Sequence, residues 1–274
     1  MSFKTPAGIA ETIVAIGETK ARLPFLSMLT LALLAGVYIA FGATLSIVVG
    51  QDGASRLGVG VTRFLSGSVF SMGLILVIIA GAELFTGNHL MAASRWTGRI
   101  TTGEMLRNWS LVYIGNFAGS LLIVFLYVLS GLWRANGEAV GTAAVTLAAM
   151  KANLPFMEAL IRGIGCNWLV CAAVWLALAA EDTMGKILGI YFPIMAFVTL
   201  GFEHSVANMF FIPLGILLKS QLAAPIAGLP DLSWEGFLVG NLLPVTVGNA
   251  IGGVVFVALP YWFVYIRGKK AESR

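Results

Sequence analysis

Gly201-Phe202-Glu203-His204-Ser205-Val206-Ala207-Asn208-Met209 lies inside a long apolar run and puts a carboxylate, an imidazole and an amide where hydrocarbon is expected. Tyr191 to Leu200 ahead of it and Phe210 to Leu218 behind it are nearly all apolar. Ionisable groups in mid-membrane are expensive, so they face a pathway or cavity. Gly201, with the small Ser205 and Ala207, predicts a helix that breaks here and then resumes. Broken membrane helices are tolerated where they line a cavity, and their free ends bind ions. The competing reading is a buried histidine satisfied by Glu203 or by a backbone carbonyl.

Composition supports a membrane setting for this run. Of 274 residues, 58% are hydrophobic and only 11% charged, with a mean hydropathy of +0.90, far from any soluble domain. The net charge of +4 then reflects membrane topology rather than nucleic-acid binding. Cys166 and Cys171 stand five positions apart in one apolar run, on different faces of a helix, so no bridge is expected and both read as packing residues.

Six stretches reach the ~20 residues needed to span hydrocarbon. They are Phe25 to Val49, Val61 to Ala82, Met105 to Trp133, Phe156 to Ala180, Lys186 to Leu218 and Phe237 to Ile266. The second and fifth read as spans that break near polar residues. Ahead of them, Met1 to Arg22 is too polar to cross, and Ile9, Ile13 and Ile16 recur near helical spacing. This predicts a short amphipathic helix on the membrane surface. No charged segment followed by an apolar core and cleavage site marks a signal peptide. An even number of spans puts both termini on one side. Segments on that side carry eleven Lys and Arg, from Lys4 to Arg274, against six opposite: Arg56, Arg63, Arg134, Lys151, Arg162 and Lys219. That bias predicts cytoplasmic termini.

The break has a counterpart. Glu83-Leu84-Phe85-Thr86-Gly87-Asn88 and Glu203-His204-Ser205-Val206-Ala207-Asn208 both run Glu, four residues, Asn. One span later, Gly115-Asn116-Phe117-Ala118-Gly119 matches Gly248-Asn249-Ala250-Ile251-Gly252. Two ordered matches predict two halves of three spans each. Three is odd, so the second half enters the membrane inverted, an architecture of transporters. The expected organisation is an N-terminal cytoplasmic segment at 1–24, a channel domain at 25–267 with repeats at about 25–133 and 156–267, and a tail at 268–274. The Gly-x-x-x-Gly patches permit close helix contact.

On Ala82 to Asn88, Cys166-Asn167-Trp168-Leu169-Val170-Cys171, Gly201 to Met209 and Pro244 to Asn249, the chain resembles the formate–nitrite transporter family across all six spans. The resemblance implies an all-α, aquaporin-like protomer with broken second and fifth helices. It also implies a homopentamer with one pore per protomer in a bacterial inner membrane. The Asn-Pro-Ala boxes of water channels are absent. Carried over by position, His204 is the central pore histidine, Thr86 the threonine of the first break and Lys151 the vestibule lysine. Asn167, Asn208 and Asn249 are polar positions around the pore and its broken helices. Leu74 and Phe197 match positions of the periplasmic-side constriction, with Phe70 and Leu84 as further apolar pore positions. Glu83, Asn88 and Glu203 have structural roles at the breaks.

The expected activity is pH-dependent passage of a small monovalent anion or its neutral acid. Formate comes first, because Gly-Phe-Glu-His and Phe211-Ile212-Pro213 look closer to the formate branch. Nitrite stands second, with hydrosulfide or a short-chain monocarboxylate as further alternatives. Lys151 would gather anions, Thr86 would donate its hydroxyl, and His204 would relay a proton, since a bare charge is costly in an apolar constriction. His89 has no assigned role. An acid–base enzyme built on Glu203 and His204 lacks a second cluster to complete a site, and neither metal nor cofactor is expected. A non-conducting scaffold would have no need of two breaks.

Overall fold

The computed structural model describes residues 3–270, so residues 271–274 of the expected tail lie outside the described ones. The described chain is helical: α1 (Pro6–Ala21), α2 (Phe25–Gly50), α3 (Gly53–Leu57), α4 (Val59–Ile79), α5 (Phe85–Asn88), α6 (Ala92–Trp96), α7 (Thr102–Ser130), α8 (Ala135–Ala152), α9 (Phe156–Ala179), α10 (Thr183–Leu200), α11 (Ser205–Leu218), α12 (Leu243–Gly253) and α13 (Leu259–Tyr265). Among the described residues the only β pairing is a single bridge, Phe3 to Ala180.

Among the described residues, six segments are long and apolar enough to cross a membrane: α2, α4, α7, α9, α10 and the continuous run Gly236–Tyr265 that contains α12 and α13. That last run widens into π-helix at Gly236–Leu242 and Val254–Ala258. Each widening ends just before a proline, Pro244 or Pro260, whose ring clashes with the preceding turn and which has no N–H to give it. Outward-facing apolar side chains such as Leu129, 83% exposed, suit lipid rather than water.

The packing repeats. α2 lies against α4 and α7, α9 lies against α10 and α12, and α4 meets α10 between the halves. A β-carbon on Gly119 would strike the backbone of Leu33 in α2, and one on Gly252 would strike that of Ile164 in α9. Both Gly-x-x-x-Gly patches thus hold backbone against backbone.

The correspondence reaches beyond the expected bounds of 25–133 and 156–267, because each half opens with a helix ahead of its first span. α1 is one and α8 is the other. α1 also differs from the expected surface helix. Ile9, Ile13 and Val14 are buried against Leu90, Ala93, Trp175 and Val257 of the same chain. Its apolar stripe is satisfied by protein, and the Ser94 hydroxyl donates to Val14 O at 3.0 Å to fasten it.

Candidate functional site

Each broken helix stops in the same way. Gly81 and Gly201 adopt left-handed φ of 81° and 79°. The next amide reaches back five residues in each case, Ala82 N to Val77 O at 2.8 Å and Phe202 N to Phe197 O at 3.0 Å. This is a Schellman stop, open to glycine because it has no Cβ to clash. Three non-helical residues follow, the last of them, Leu84 or His204, extended, and the helix resumes at Phe85 or Ser205.

Extended backbone inside hydrocarbon leaves polar groups that need partners. One asparagine supplies them on each side. Asn116 accepts Phe85 N–H at 2.9 Å and donates to Glu83 O at 2.9 Å and Ala32 O at 2.7 Å. Asn249 accepts Ser205 N–H at 2.9 Å and donates to Glu203 O at 3.0 Å and Gly163 O at 2.8 Å. The main-chain amides of Glu83 and Glu203 reach Leu31 O and Arg162 O, both at 3.2 Å.

An ion pair with a buried glutamate sits beside each brace. Lys20 meets Glu83 at 2.6 Å, and Lys151 meets Glu203 at 2.8 Å. The other carboxylate oxygen accepts from Asn88 in the first cluster and from Asn208 in the second, both at 2.7 Å. Asn88 and Asn208 also donate to Asn108 and Asn241, at 2.8 and 2.7 Å. Those asparagines reach back to the carbonyls of Lys20 and Lys151. Lys20, Asn108 and Asn241 were not singled out from sequence. A signal was present in Lys20-Ala21-Arg22-Leu23-Pro24-Phe25 against Lys151-Ala152-Asn153-Leu154-Pro155-Phe156.

The two breaks touch at their tips, where His204 Nε2 and Thr86 Oγ1 lie 3.0 Å apart and both residues are buried. His204 is the N-cap of α11, its Nδ1 accepting Ala207 N–H at 3.0 Å. With Nδ1 occupied as an acceptor, the neutral ring carries its proton on Nε2 and donates it to Thr86. The threonine hydroxyl proton is then free for another acceptor. The Thr86 carbonyl is held in turn by Asn167 Nδ2 at 3.2 Å, and Nδ1 of His89 stands 3.1 Å from it.

Two cavities flank this contact. One, about 340 Å³, is lined by Lys151, Glu203, Asn208, His204 and the rings of Phe70, Phe197 and Phe211. Phe197 stacks on the His204 ring at 5.8 Å, and Phe70 meets Phe197 edge-on at 5.7 Å. The other, about 290 Å³, is lined by Lys20, Glu83, Asn88, Leu74 and Leu84. The expected grouping of Leu74 with Phe197 is therefore corrected. Leu74 faces the Lys20 cavity with Leu84, and Phe197 faces the Lys151 cavity with Phe70, because Phe70 and Leu74 are one helical turn apart along α4.

Asn167 and Asn249 line neither cavity; both donate to backbone carbonyls near the breaks, and Asn167 Nδ2 also stands 2.9 Å from His89 Nδ1. Lys151 belongs to helix α8 with a side chain only 14% exposed, so it is not a solvated loop lysine. Cys166 and Cys171 are buried and unbridged.

A profile described as "Formate/nitrite transporter" matches residues 7–263. The chain belongs to this family. It is 42% identical to "Probable formate transporter" of Methanothermobacter thermautotrophicus, over 97% of this chain and 98% of the relative. It is 38% identical to "Formate channel FocA" of Escherichia coli (strain K12), over 96% of this chain and 94% of that one. Among solved structures, "Pentameric formate channel with formate bound" matches with a TM-score of 0.79 at 37% identity, covering 89% of this chain and 98% of that chain. "FNT family ion channel" matches at 0.81 and 33%, covering 93% and 98%. This formate/nitrite transporter family member is thus an all-α, multi-pass membrane protein with the family's aquaporin-like fold.

Proposed function

We propose that the chain carries a small monovalent anion together with a proton across a bacterial inner membrane, through one pore per protomer of a homopentamer. Formate is the first substrate. The observation that carries this reading is the contact of Thr86 and His204 between two cavities, sealed by Leu74 and Leu84 on one side and Phe70 and Phe197 on the other. The relatives named for formate support the choice of anion. Nitrite is the second reading, since the family name covers both. Transport rather than catalysis follows the same kinship. The termini, with the segment at 1–24 and the tail at 268–274, belong on the cytoplasmic side.

The route runs from the Lys151 cavity past the phenylalanines to the paired Thr86 and His204, then between the leucines to the Lys20 cavity. A carboxylate stripped of water loses several kcal/mol of solvation. The Thr86 hydroxyl, freed by accepting from His204, offsets part of that loss by donating to the substrate. The leucine and phenylalanine gates then pass the neutral acid with less penalty than the anion. A neutral His204 ring holds one proton, on Nε2, and has none to give away. Before it can act as the proton donor expected from sequence, Nδ1 must release Ala207 N–H and take up a proton. The proton therefore reaches the substrate from vestibule water, and the His204–Thr86 pair serves as a fixed hydrogen-bonding station.

Purified protein in proteoliposomes tests this. Labelled formate uptake should exceed that of empty vesicles, rise as external pH falls, and be competed by nitrite more than by acetate or lactate. Uptake equal to empty vesicles would end the reading. Stronger competition by nitrite than by unlabelled formate would promote the second one. For sidedness, an impermeant thiol reagent on intact cells should label Asn136→Cys and spare Arg99→Cys.

A further inference from the structure

Lys151 is the residue expected to gather anions, yet its ammonium is 2.8 Å from Glu203 and its side chain is nearly buried. The pair is neutral as a unit. Two other cations line the same cavity, Arg63 and Arg162. Arg162 is bound to Glu158 one turn away at 2.6 Å. Arg63 has no carboxylate within ion-pair distance among the described residues. It projects from the first turns of α4 over the second break, its Nη1 3.9 Å from where a β-carbon on Gly201 would lie. The Lys20 cavity differs, because its only charged lining residues are Lys20 and Glu83, which neutralise each other.

We infer that Arg63 is the anion-recruiting cation of the Lys151 cavity, an uncompensated charge that gives this mouth, and not the other, a positive field. The inference rests on the anion-transport reading above. An exposed arginine on an open surface would be screened within about 10 Å at 0.1 M salt. At the rim of a cavity with apolar walls its field is focused inward and raises the local concentration of anions, formate or nitrite alike. A guanidinium also holds a carboxylate through two parallel N–H bonds, which an ammonium cannot match. Nothing in the second half mirrors it, since the position 120 residues on is Thr183.

The test is initial formate uptake into proteoliposomes at about 0.01 M and about 0.3 M of an impermeant salt. Wild type, Arg63→Gln, Arg63→Lys and Arg134→Gln are compared, Arg134 being an exposed arginine that lines neither cavity. At low salt Arg63→Gln should fall about threefold or more below wild type, Arg63→Lys should keep most of the uptake, and Arg134→Gln should match wild type. At high salt the gap between Arg63→Gln and wild type should close. A wild-type rate for Arg63→Gln at low salt overturns the inference. So does an equal loss in both Arg63 variants that persists at high salt, which would make Arg63 a packing residue over the break. If wild type itself carries no formate, the transport reading fails, and the two failures are thereby told apart.

Discussion

The first break, Gly81 to Thr86, and the second, Gly201 to Val206, share a frame and differ at the tip. Glycine stop, buried glutamate, bracing asparagine and paired lysine recur with distances that agree within 0.2 Å where they have been given for both. At the tips, Leu84-Phe85-Thr86 stands opposite His204-Ser205-Val206. The frame solves a problem both halves share, unpaired backbone in hydrocarbon, and admits one solution. In the function proposed above the tips meet a single substrate from two directions, and an anion beside an apolar gate needs one polar pair rather than two. The two halves therefore share the support and differ in the chemistry.

The frame is tested hardest at its asparagines. Asn116→Leu and Asn249→Leu each remove three hydrogen bonds and strand backbone groups, with an expected loss of about 3–5 kcal/mol. Detergent-solubilised protein should lose its pentamer peak by size exclusion in both variants. If one is tolerated, the two frames are not equivalent.

The ion pairs give a graded comparison. Glu203→Gln leaves Lys151 charged and nearly buried and should destabilise by about 2–4 kcal/mol. Glu83→Gln should do less, because Lys20 is 24% exposed and also donates to Asn88. Thermal midpoints of the two variants decide. Equal shifts would mean that exposure is not what separates them.

The tips are sharpened by exchange. Thr86→Val removes the free hydroxyl and should lower formate uptake by about 10- to 100-fold, the worth of a hydrogen bond to a charged group of about 1.5–3 kcal/mol. Val206→Thr should leave uptake near wild type. A large effect of Val206→Thr would erase the asymmetry drawn here.

A smaller effect than at Thr86 is expected at His204. Asparagine caps a helix as histidine does here, so His204→Asn should alter uptake by no more than about fivefold and keep its rise with falling pH. Loss of the pH dependence would show that Nδ1 releases Ala207 and that the ring supplies the proton after all.

Much of this was legible in order along the chain. Hydropathy placed six spans, and Glu-x-x-x-x-Asn with Gly-Asn-x-x-Gly revealed the two halves, because groups that hydrocarbon excludes stand out against an apolar background. The ends of the halves were harder to see. α8 is rich in Ala, Gly and Thr and reads neither as a span nor as a loop, and Lys20 looks like any interfacial lysine until its pairing with Glu83 is known. Leu74 and Phe70 are both core residues by pattern, and only the direction each faces along α4 assigns them to opposite cavities. By itself, the sequence determined that the chain crosses a membrane six times, that two spans break, and that the halves are related. These properties depend on composition and local order. The tertiary structure decided that Asn249 serves backbone, that Lys151 is neutralised by Glu203, and that Thr86 faces His204. Such facts depend on which atoms from distant segments come within 3 Å, and no local pattern encodes that proximity.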